Sequence, residues 1–491
     1  MKQEEIERLR FRNQYILAPK SVKCPFLNEE YIVNDTYRLY SHVDLHITIA
    51  EVNGTKIWLL GDLFDFESPQ KSNFEILIDL LVLDYDGILH KLGKYTGRFV
   101  LIYKSREDLK LVHDATAARK IYYSLGNGDA WFSSQSYLLA KVLQMKKTHH
   151  PEILDYYNSQ EFILKNNANI GDTTIYDGIR QLMPNHYFDV KTSSRYRYWP
   201  SCRIDDQRPL KEVASNCAHM VKGFMEGIMH RYEVMLPVTA GKDSRTLMAA
   251  TKSNPERVYY YINKENHVDD NFIDITIPKK LLGNLDLKFH VLDPYIEVDD
   301  DFRRVYFENN EFGSEKYLPL IYNYYLNFNN KVNLPGNTAT AGSEWFMGRK
   351  ITVTGENLAK KNRVGKWSFA IDYYDQWIKE IGVFCPENNI NLIDLFYWEE
   401  RIANWGNQIQ LDKDISQEDI NVFNSRDLVM QYLSVHPKYL EIPTFKVYVK
   451  VIDKLWPELL NVPINKGFKK TLIKVLKTGG VLNLYLKFKY A

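Results

Sequence analysis

The sequence predicts a mixed α/β protein in two parts, a sheet-rich α+β unit over residues 1–203 and an α/β unit over 204–491 built on a parallel sheet. Three observations carry this. A length of 491 residues exceeds what one hydrophobic core ordinarily fills, so two domains are expected. Before residue 200, short β-rich runs follow one another closely, with a hairpin signal at Asn53-Gly54. After residue 210, short β-rich runs alternate with longer helical stretches, as in parallel strands joined by crossover helices.

Composition narrows the function classes. With 45% hydrophobic and 25% charged residues the chain is of the soluble globular kind. A formal net charge of +1 recruits neither nucleic acid nor anionic membrane by bulk electrostatics, so no nucleic-acid partner is expected. Cys24, Cys202, Cys217 and Cys385 lack metal-ligand or redox spacing, which fits a reducing compartment. There is no apolar run of about 18 residues, and the charged start Met-Lys-Gln-Glu-Glu-Ile-Glu-Arg is no signal peptide. A cytoplasmic location is expected.

In the first part, strands are expected over Leu45–Val52, Thr55–Gly61, Arg98–Tyr103, Leu109–His113, Ile121–Ser124 and Trp131–Ser134. Helices are expected around Asn73–Leu83 and Gln135–Gln144. Pro184–Val190 and Arg195–Pro200 close the unit, and the polar stretch 201–209 places the boundary near residue 203.

The second part opens on a helix whose apolar residues Leu210, Val213, Ala214, Cys217, Val221, Phe224 and Ile228 recur at three and four. Val234–Val238 then reads as a buried strand and Leu247–Ala250 as the start of a helix, although Pro237 counts against a central strand because it lacks a ladder donor. Between them lies the polar turn Thr239-Ala240-Gly241-Lys242-Asp243-Ser244. A strand-to-helix turn binds anions, because the first N–H groups of a helix have no intrahelical partner and the dipole is positive there. Gly241 lets the backbone approach a phosphate, Thr239 and Ser244 add hydroxyls, and Asp243 is placed to hold Mg2+. The glycine and lysine spacing of a Walker-type loop is absent. Further strands are expected over Val258–Ile262, Lys288–Leu292 and Lys331–Leu334, and ligands in such a sheet sit beyond the carboxyl ends of the strands.

The turn resembles the pyrophosphate-binding loop of the asparagine synthetase superfamily, Ser-Gly-Gly-x-Asp-Ser, with Thr239 and Ala240 in place of the first Ser and Gly, and Gly241, Asp243 and Ser244 matching. Gly61-Asp62, Gly97–Ile102, Asp114–Tyr123 and Ser133-Ser134 are similar, in order, to the class II glutamine amidotransferase domain that precedes that synthetase. The resemblance implies an Ntn-hydrolase-like first domain and an adenine-nucleotide-hydrolase-like second one with a helical C-terminal part. It also implies ATP and Mg2+ as cofactors, with Tyr261 and Ile262 near the adenine or in the core. The turn after the fourth strand, Leu334–Gly348, departs from the family: Gly336 and Glu344 match, but Ser343 stands where relatives have Asp, so either Glu344 substitutes as the second magnesium ligand or the metal keeps more water. Glu418–Val429 is similar to a further family segment, in which Glu418 falls on the catalytic Glu. Lys466, in Leu455–Phe468, falls on the Lys that reaches the reacting phosphate and carbonyl.

Family glutaminases use a Cys directly after the initiator Met, where this chain has Lys2. A glutaminase fold without glutaminase activity is therefore expected, leaving a carboxylate activated by ATP as an acyl-adenylate and transferred to an amine. Peptide macrolactam-forming (lasso peptide) cyclases and β-lactam synthetases are similar relatives with a dead first domain. The second reading is a nucleotide-binding or scaffold protein that has lost catalysis, favoured by the altered turn 337–343. An enzyme thiolating or amidating tRNA would show a basic face and paired cysteines, and neither is present. Lys466–Ala491 carries six further lysines and no acid among Leu, Val, Phe and Tyr, which suits either a basic face packed on the synthetase half or weak contact with an anionic membrane surface.

Overall fold

The computed structural model describes residues 1–24, 26–264, 271–293, 296–337, 352–440 and 445–464. Lys466, Glu344, the turn 338–348 and the basic C-terminal segment lie outside them.

The protein is mixed α/β. Its first strands are β1 (Tyr15–Ala18), β2 (Glu29–Ile32), β3 (Arg38–Ser41), β4 (Ile47–Val52), β5 (Thr55–Asp65) and β6 (Tyr95–Lys104). They are followed by β7 (Leu109–His113), β8 (Tyr122–Ser124), β9 (Trp131–Ser133), β10 (Ile179–Gln181), β11 (His186–Asp189) and β12 (Ser194–Arg197). These make two six-stranded sheets, ordered β10-β8-β9-β1-β3-β2 and β12-β11-β7-β6-β5-β4.

Side chains alternate across a strand, and here both faces are covered. Trp58 and Leu60 of β5, with Val100 and Ile102 of β6, point inward to meet Tyr15, Leu17, Leu39 and Phe132 of the other sheet. Ile57, Leu59, Phe99 and Leu101 point outward, under the helices Asn73–Leu81 and Tyr85–Leu92. Burial on two sides accounts for nearly unbroken apolar runs in β5 and β6. Ser72 and Asp84 cap these two helices by accepting hydrogen bonds from Glu75 N–H and Gly87 N–H.

The parallel sheet comprises β13 (Val234–Pro237), β14 (Val258–Asn263), β15 (His290–Leu292) and β16 (Val332–Asn333), ordered β15-β14-β13-β16. Asp419 forms a parallel bridge with Asn333, so the segment around it continues the sheet beyond β16. Pro237 does sit in a central strand, as its last residue. The neighbouring Val238 N–H serves β14 through Tyr261 O at 2.8 Å, so the donor that Pro237 lacks falls on the β16 side, where pairing already ends at Met235 and Asn333.

The helix Leu210–Arg231 packs its apolar stripe against this sheet and touches the first half. A Cβ at Gly223 would lie 2.1 Å from Phe66 O, so glycine permits the chain leaving β5 to cross the helix closely. Among the described residues, no helix is long and apolar enough to cross a membrane.

Candidate functional site

The helix after β13 begins at Lys242, five residues before the expected start, with Gly241 extended at its N-cap (φ −75°, ψ 166°). Lys242, Asp243 and Ser244 therefore form the first helical turn, and the polar segment is shorter than its composition suggested. The turn is cross-braced by its own hydroxyls. Thr239 N–H donates to Ser244 Oγ at 3.1 Å, the two hydroxyl oxygens are 3.1 Å apart, and Gly241 N–H donates to Thr239 Oγ1 at 3.1 Å. Ala240 N–H donates to a carboxylate oxygen of Asp274, in the helix Ile273–Gly283, at 2.8 Å. A carboxylate oxygen thus sits at one backbone donor of the turn, one residue before the helix N-cap.

The β16 side closes on the same turn. A Cβ at Gly336 would lie 3.4 Å from Ser244 N and 3.6 Å from Asp243 Cβ. Asn333 N–H donates to Glu418 O at 3.0 Å, and Asn421 Nδ2 donates to Asn337 O at 2.5 Å. The segment carrying Glu418 therefore runs beside β16 and its exit loop, which in turn abuts the anion turn. Tyr261 is a support: it is 1% exposed, and its hydroxyl donates to Asn333 Oδ1 at 2.9 Å. Ile262 is half-buried near the carboxyl end of β14.

Glu418 is half-buried and faces the first half of the chain. Arg119 Nη2 lies 2.8 Å from Glu418 Oε1 and Arg98 Nη1 3.3 Å from it, while Arg98 forks onto Asp414 at 2.5 and 3.0 Å. Arg98 and Arg119 are themselves buried. Space for Arg119 comes from Gly61 (φ +102°), where a Cβ would meet Arg119 Nε at 3.0 Å and Arg98 O at 2.1 Å. Burial raises the Glu418 carboxyl above the ordinary carboxylate value, against the opposing pull of Arg119 and Arg98. Neither arginine was assigned a role from sequence, although both stand in recognised segments. The partners are about three hundred residues away in sequence, and no local pattern reports such a pair.

A second polar cluster adjoins this one. His46 Nδ1 is 3.0 Å from Asp62 Oδ1, Tyr232 donates its hydroxyl to Asp62 Oδ2 at 2.8 Å, and Asn73 Nδ2 donates to Asp62 Oδ1 at 2.9 Å. Burial pushes Asp62 up, but His46, Tyr232 and Asn73 together bring its carboxyl below the usual range. The Asp62 hydrogen bond raises His46 above its ordinary value.

At the turn, Lys242 Nζ lies 3.0 and 3.1 Å from the two carboxylate oxygens of Asp243, and Glu344, the other expected magnesium ligand, lies outside the described residues. Among the described residues, no group of three His, Cys, Asp or Glu could hold a metal ion.

Three of the four thiols are buried and so poorly placed for nucleophilic work. Cys24, Cys217 and Cys385 are buried, which pushes Cys24 up to about 11 and Cys385 up to about 12, and raises Cys217 as well. Cys202 is exposed.

No family model and no curated protein matches the sequence. Solved structures that are distantly similar include the following three. Glutamine phosphoribosylpyrophosphate amidotransferase from B. subtilis, complexed with ADP and GMP, shows 8% identity over 70% of this chain and 73% of its own, at a TM-score of 0.24. An allosteric regulatory enzyme of purine biosynthesis shows 11% identity over 64% and 75%, at 0.25. Glutamine-dependent NAD+ synthetase from Acinetobacter baumannii, in complex with ADP, shows 11% identity over 52% and 60%, at 0.21. TM-scores this low carry no information on activity.

Proposed function

We propose that this chain is an ATP-dependent carbon–nitrogen ligase that activates a carboxylate as an acyl-adenylate and transfers it to an amine, without hydrolysing glutamine. The observation that carries the reading is the turn Thr239–Ser244: a parallel strand runs into a helix through a loop whose Thr239 and Gly241 N–H groups donate to the Ser244 and Thr239 hydroxyls, with a carboxylate oxygen of Asp274 bound at Ala240 N–H. Such a turn suits the pyrophosphate end of ATP.

A carboxylate alone is a poor electrophile because its leaving group would be oxide. In the proposed reaction a carboxylate oxygen attacks the α-phosphorus of ATP, the bond to the β-phosphate oxygen breaks, and pyrophosphate leaves into the turn. The amine nitrogen then attacks the acyl carbon, the carbon–oxygen bond to AMP breaks, and the nitrogen loses a proton. Glu418 is the proposed acceptor of that proton, or the group that orients the amine; burial raises its carboxyl above the ordinary carboxylate value. Lys466 is proposed to stabilise the tetrahedral oxyanion, as the family resemblance implies. The antiparallel-sheet half contributes Arg98 and Arg119, which fix Glu418.

The test is a screen of carboxylates for ATP-dependent exchange of radiolabelled pyrophosphate. Exchange with at least one carboxylate supports the ligase. ATP binding without exchange for any carboxylate supports the second reading, a nucleotide-binding protein without catalysis, which the ion-paired state of Glu418 favours.

A further inference from the structure

A cavity of about 430 Å³ lies between the two halves of the chain. Its walls come from the helix Tyr85–Leu92, from β12 and the residues that follow it, and from the helix Arg426–Leu433, and they include neither Glu418 nor any residue of the turn Thr239–Ser244. Small-molecule sites run from about 300 to 1,000 Å³, so this one has room for a ligand. Two oppositely charged side chains line it without a counter-charge. Arg426 is 2% exposed, and its guanidinium lies over the Tyr198 ring, 4.9 Å from the centroid. Its Nε donates to Asn185 Oδ1 at 3.2 Å and its Nη2 to the carbonyl oxygens of His113 and Asp114 at 3.5 and 3.3 Å. All three acceptors are neutral, and Nη1 has no partner among the described residues. The Asp427 carboxylate packs on Gly93, where a Cβ would lie 2.5 Å from Oδ1, and accepts no hydrogen bond among the described residues. Burial raises that carboxyl above its ordinary value, against the pull of His90 and Arg426. A buried cation held by carbonyl oxygens alone, and an acid without a donor, both gain from a ligand that completes them.

We propose that this cavity binds a free α-amino acid with an apolar or aromatic side chain: its carboxylate on Arg426, its ammonium on Asp427 and its side chain against Leu89, Trp199 and Met430. The two N–H groups of Nη1 suit a carboxylate, and charge-assisted hydrogen bonds at both ends require a ligand that carries both charges. A simple anion leaves Asp427 unmatched, and a simple amine leaves Arg426 unmatched. Because the walls belong to both halves, the bound amino acid ties the helix Tyr85–Leu92 to the helix Arg426–Leu433. The site is independent of the reading of the turn Thr239–Ser244.

The experiment is calorimetric titration of the full chain with L-phenylalanine and L-leucine, repeated with L-phenylalanine amide and N-acetyl-L-phenylalanine, each of which lacks one of the two charges. At least one of the free amino acids is expected to bind, and each capped compound at least about tenfold more weakly. Asp427→Asn is expected to fold, since the carboxylate accepts no hydrogen bond among the described residues, and to weaken binding at least about tenfold. Arg426→Lys keeps the charge but loses the planar fork and is expected to show a similar loss. If that variant does not fold, L-phenylalanine amide tests the same contact. Cys202 is exposed and lines the cavity, so the bound amino acid is expected to slow its alkylation by iodoacetamide. No binding of either amino acid, equal binding of the capped compounds, unchanged affinity in Asp427→Asn, or binding that leaves Cys202 alkylation unchanged overturns the proposal, and none of these outcomes touches the ligase reading.

Discussion

Arg119 and Glu418 lie 299 positions apart in the chain, yet the guanidinium of one meets the carboxylate of the other at 2.8 Å. Beside them Arg98 holds Asp414 with both terminal nitrogens. The antiparallel-sheet half thus supplies cations, and the segment next to the parallel sheet supplies the acids. This pairing gives the first half a physical role in the candidate site that requires no chemistry of its own.

Breaking the buried pair strands a charge. Arg98 and Asp414 are 2% and 3% exposed, so Arg98→Met leaves Asp414 buried against an apolar side chain. The expected cost is about 3–5 kcal/mol of unfolding free energy, read from denaturant unfolding. A loss below about 1 kcal/mol would mean that the pair behaves like a surface ion pair.

The His46 and Asp62 pair gives stability a pH dependence of known sign. The folded-state pKa of His46 is raised above 6.5, so its contribution is fully present below 6.5 and is lost as pH rises through the folded value. That of Asp62 is depressed below 3.8, so its contribution is present above 3.8 and is lost as pH falls through the folded value. Asp62→Asn should flatten both limbs of a stability–pH profile and lower the His46 pKa in an NMR titration of the ring. An unchanged His46 titration would show that Asp62 does not set it.

Purified protein should release no ammonia from glutamine above background. Glutaminases of the kind the first domain resembles use a thiolate nucleophile, and burial raises the Cys24, Cys217 and Cys385 thiols above their ordinary value, leaving the exposed Cys202 without a hydrogen-bonded base among the described residues. Steady glutamine hydrolysis, sensitive to thiol alkylation, would contradict this.

Once the exchange screen has identified a carboxylate, the two proposed catalytic groups should separate by step. Glu418→Gln should keep ATP–pyrophosphate exchange, which precedes amine attack, and lose about a hundredfold or more in amide formation. Lys466→Ala and Lys466→Arg should each cost about a hundredfold in turnover while nucleotide binding survives, because a planar, longer guanidinium does not replace a point charge over an oxyanion. Loss of exchange in Glu418→Gln would move that residue to the adenylation step. Loss of nucleotide affinity in the Lys466 variants would make it a ground-state phosphate ligand.

The sequence by itself determined what local pattern can encode. The hairpin at Asn53-Gly54 was legible because its turn residues and alternation sit within a few positions of each other, and β4 and β5 form there. The helix Leu210–Arg231 was legible from its apolar repeat, and the strand, turn and helix around Gly241 from an apolar run meeting a polar one. Tertiary structure decided the rest. The strand β1 is too short for a period to show, and β2 is a mostly exposed edge strand, so both take their place from partners rather than from pattern. The helix starts at Lys242, whose ammonium lies against the rings of Phe445 and Tyr448, two hundred residues downstream, a contact no local pattern reports. Pro237 is tolerated in a central strand because pairing with β16 has stopped before it. Side-chain charge has no periodicity and acts through space, so which arginine meets which carboxylate is settled only when the sheets bring distant segments together.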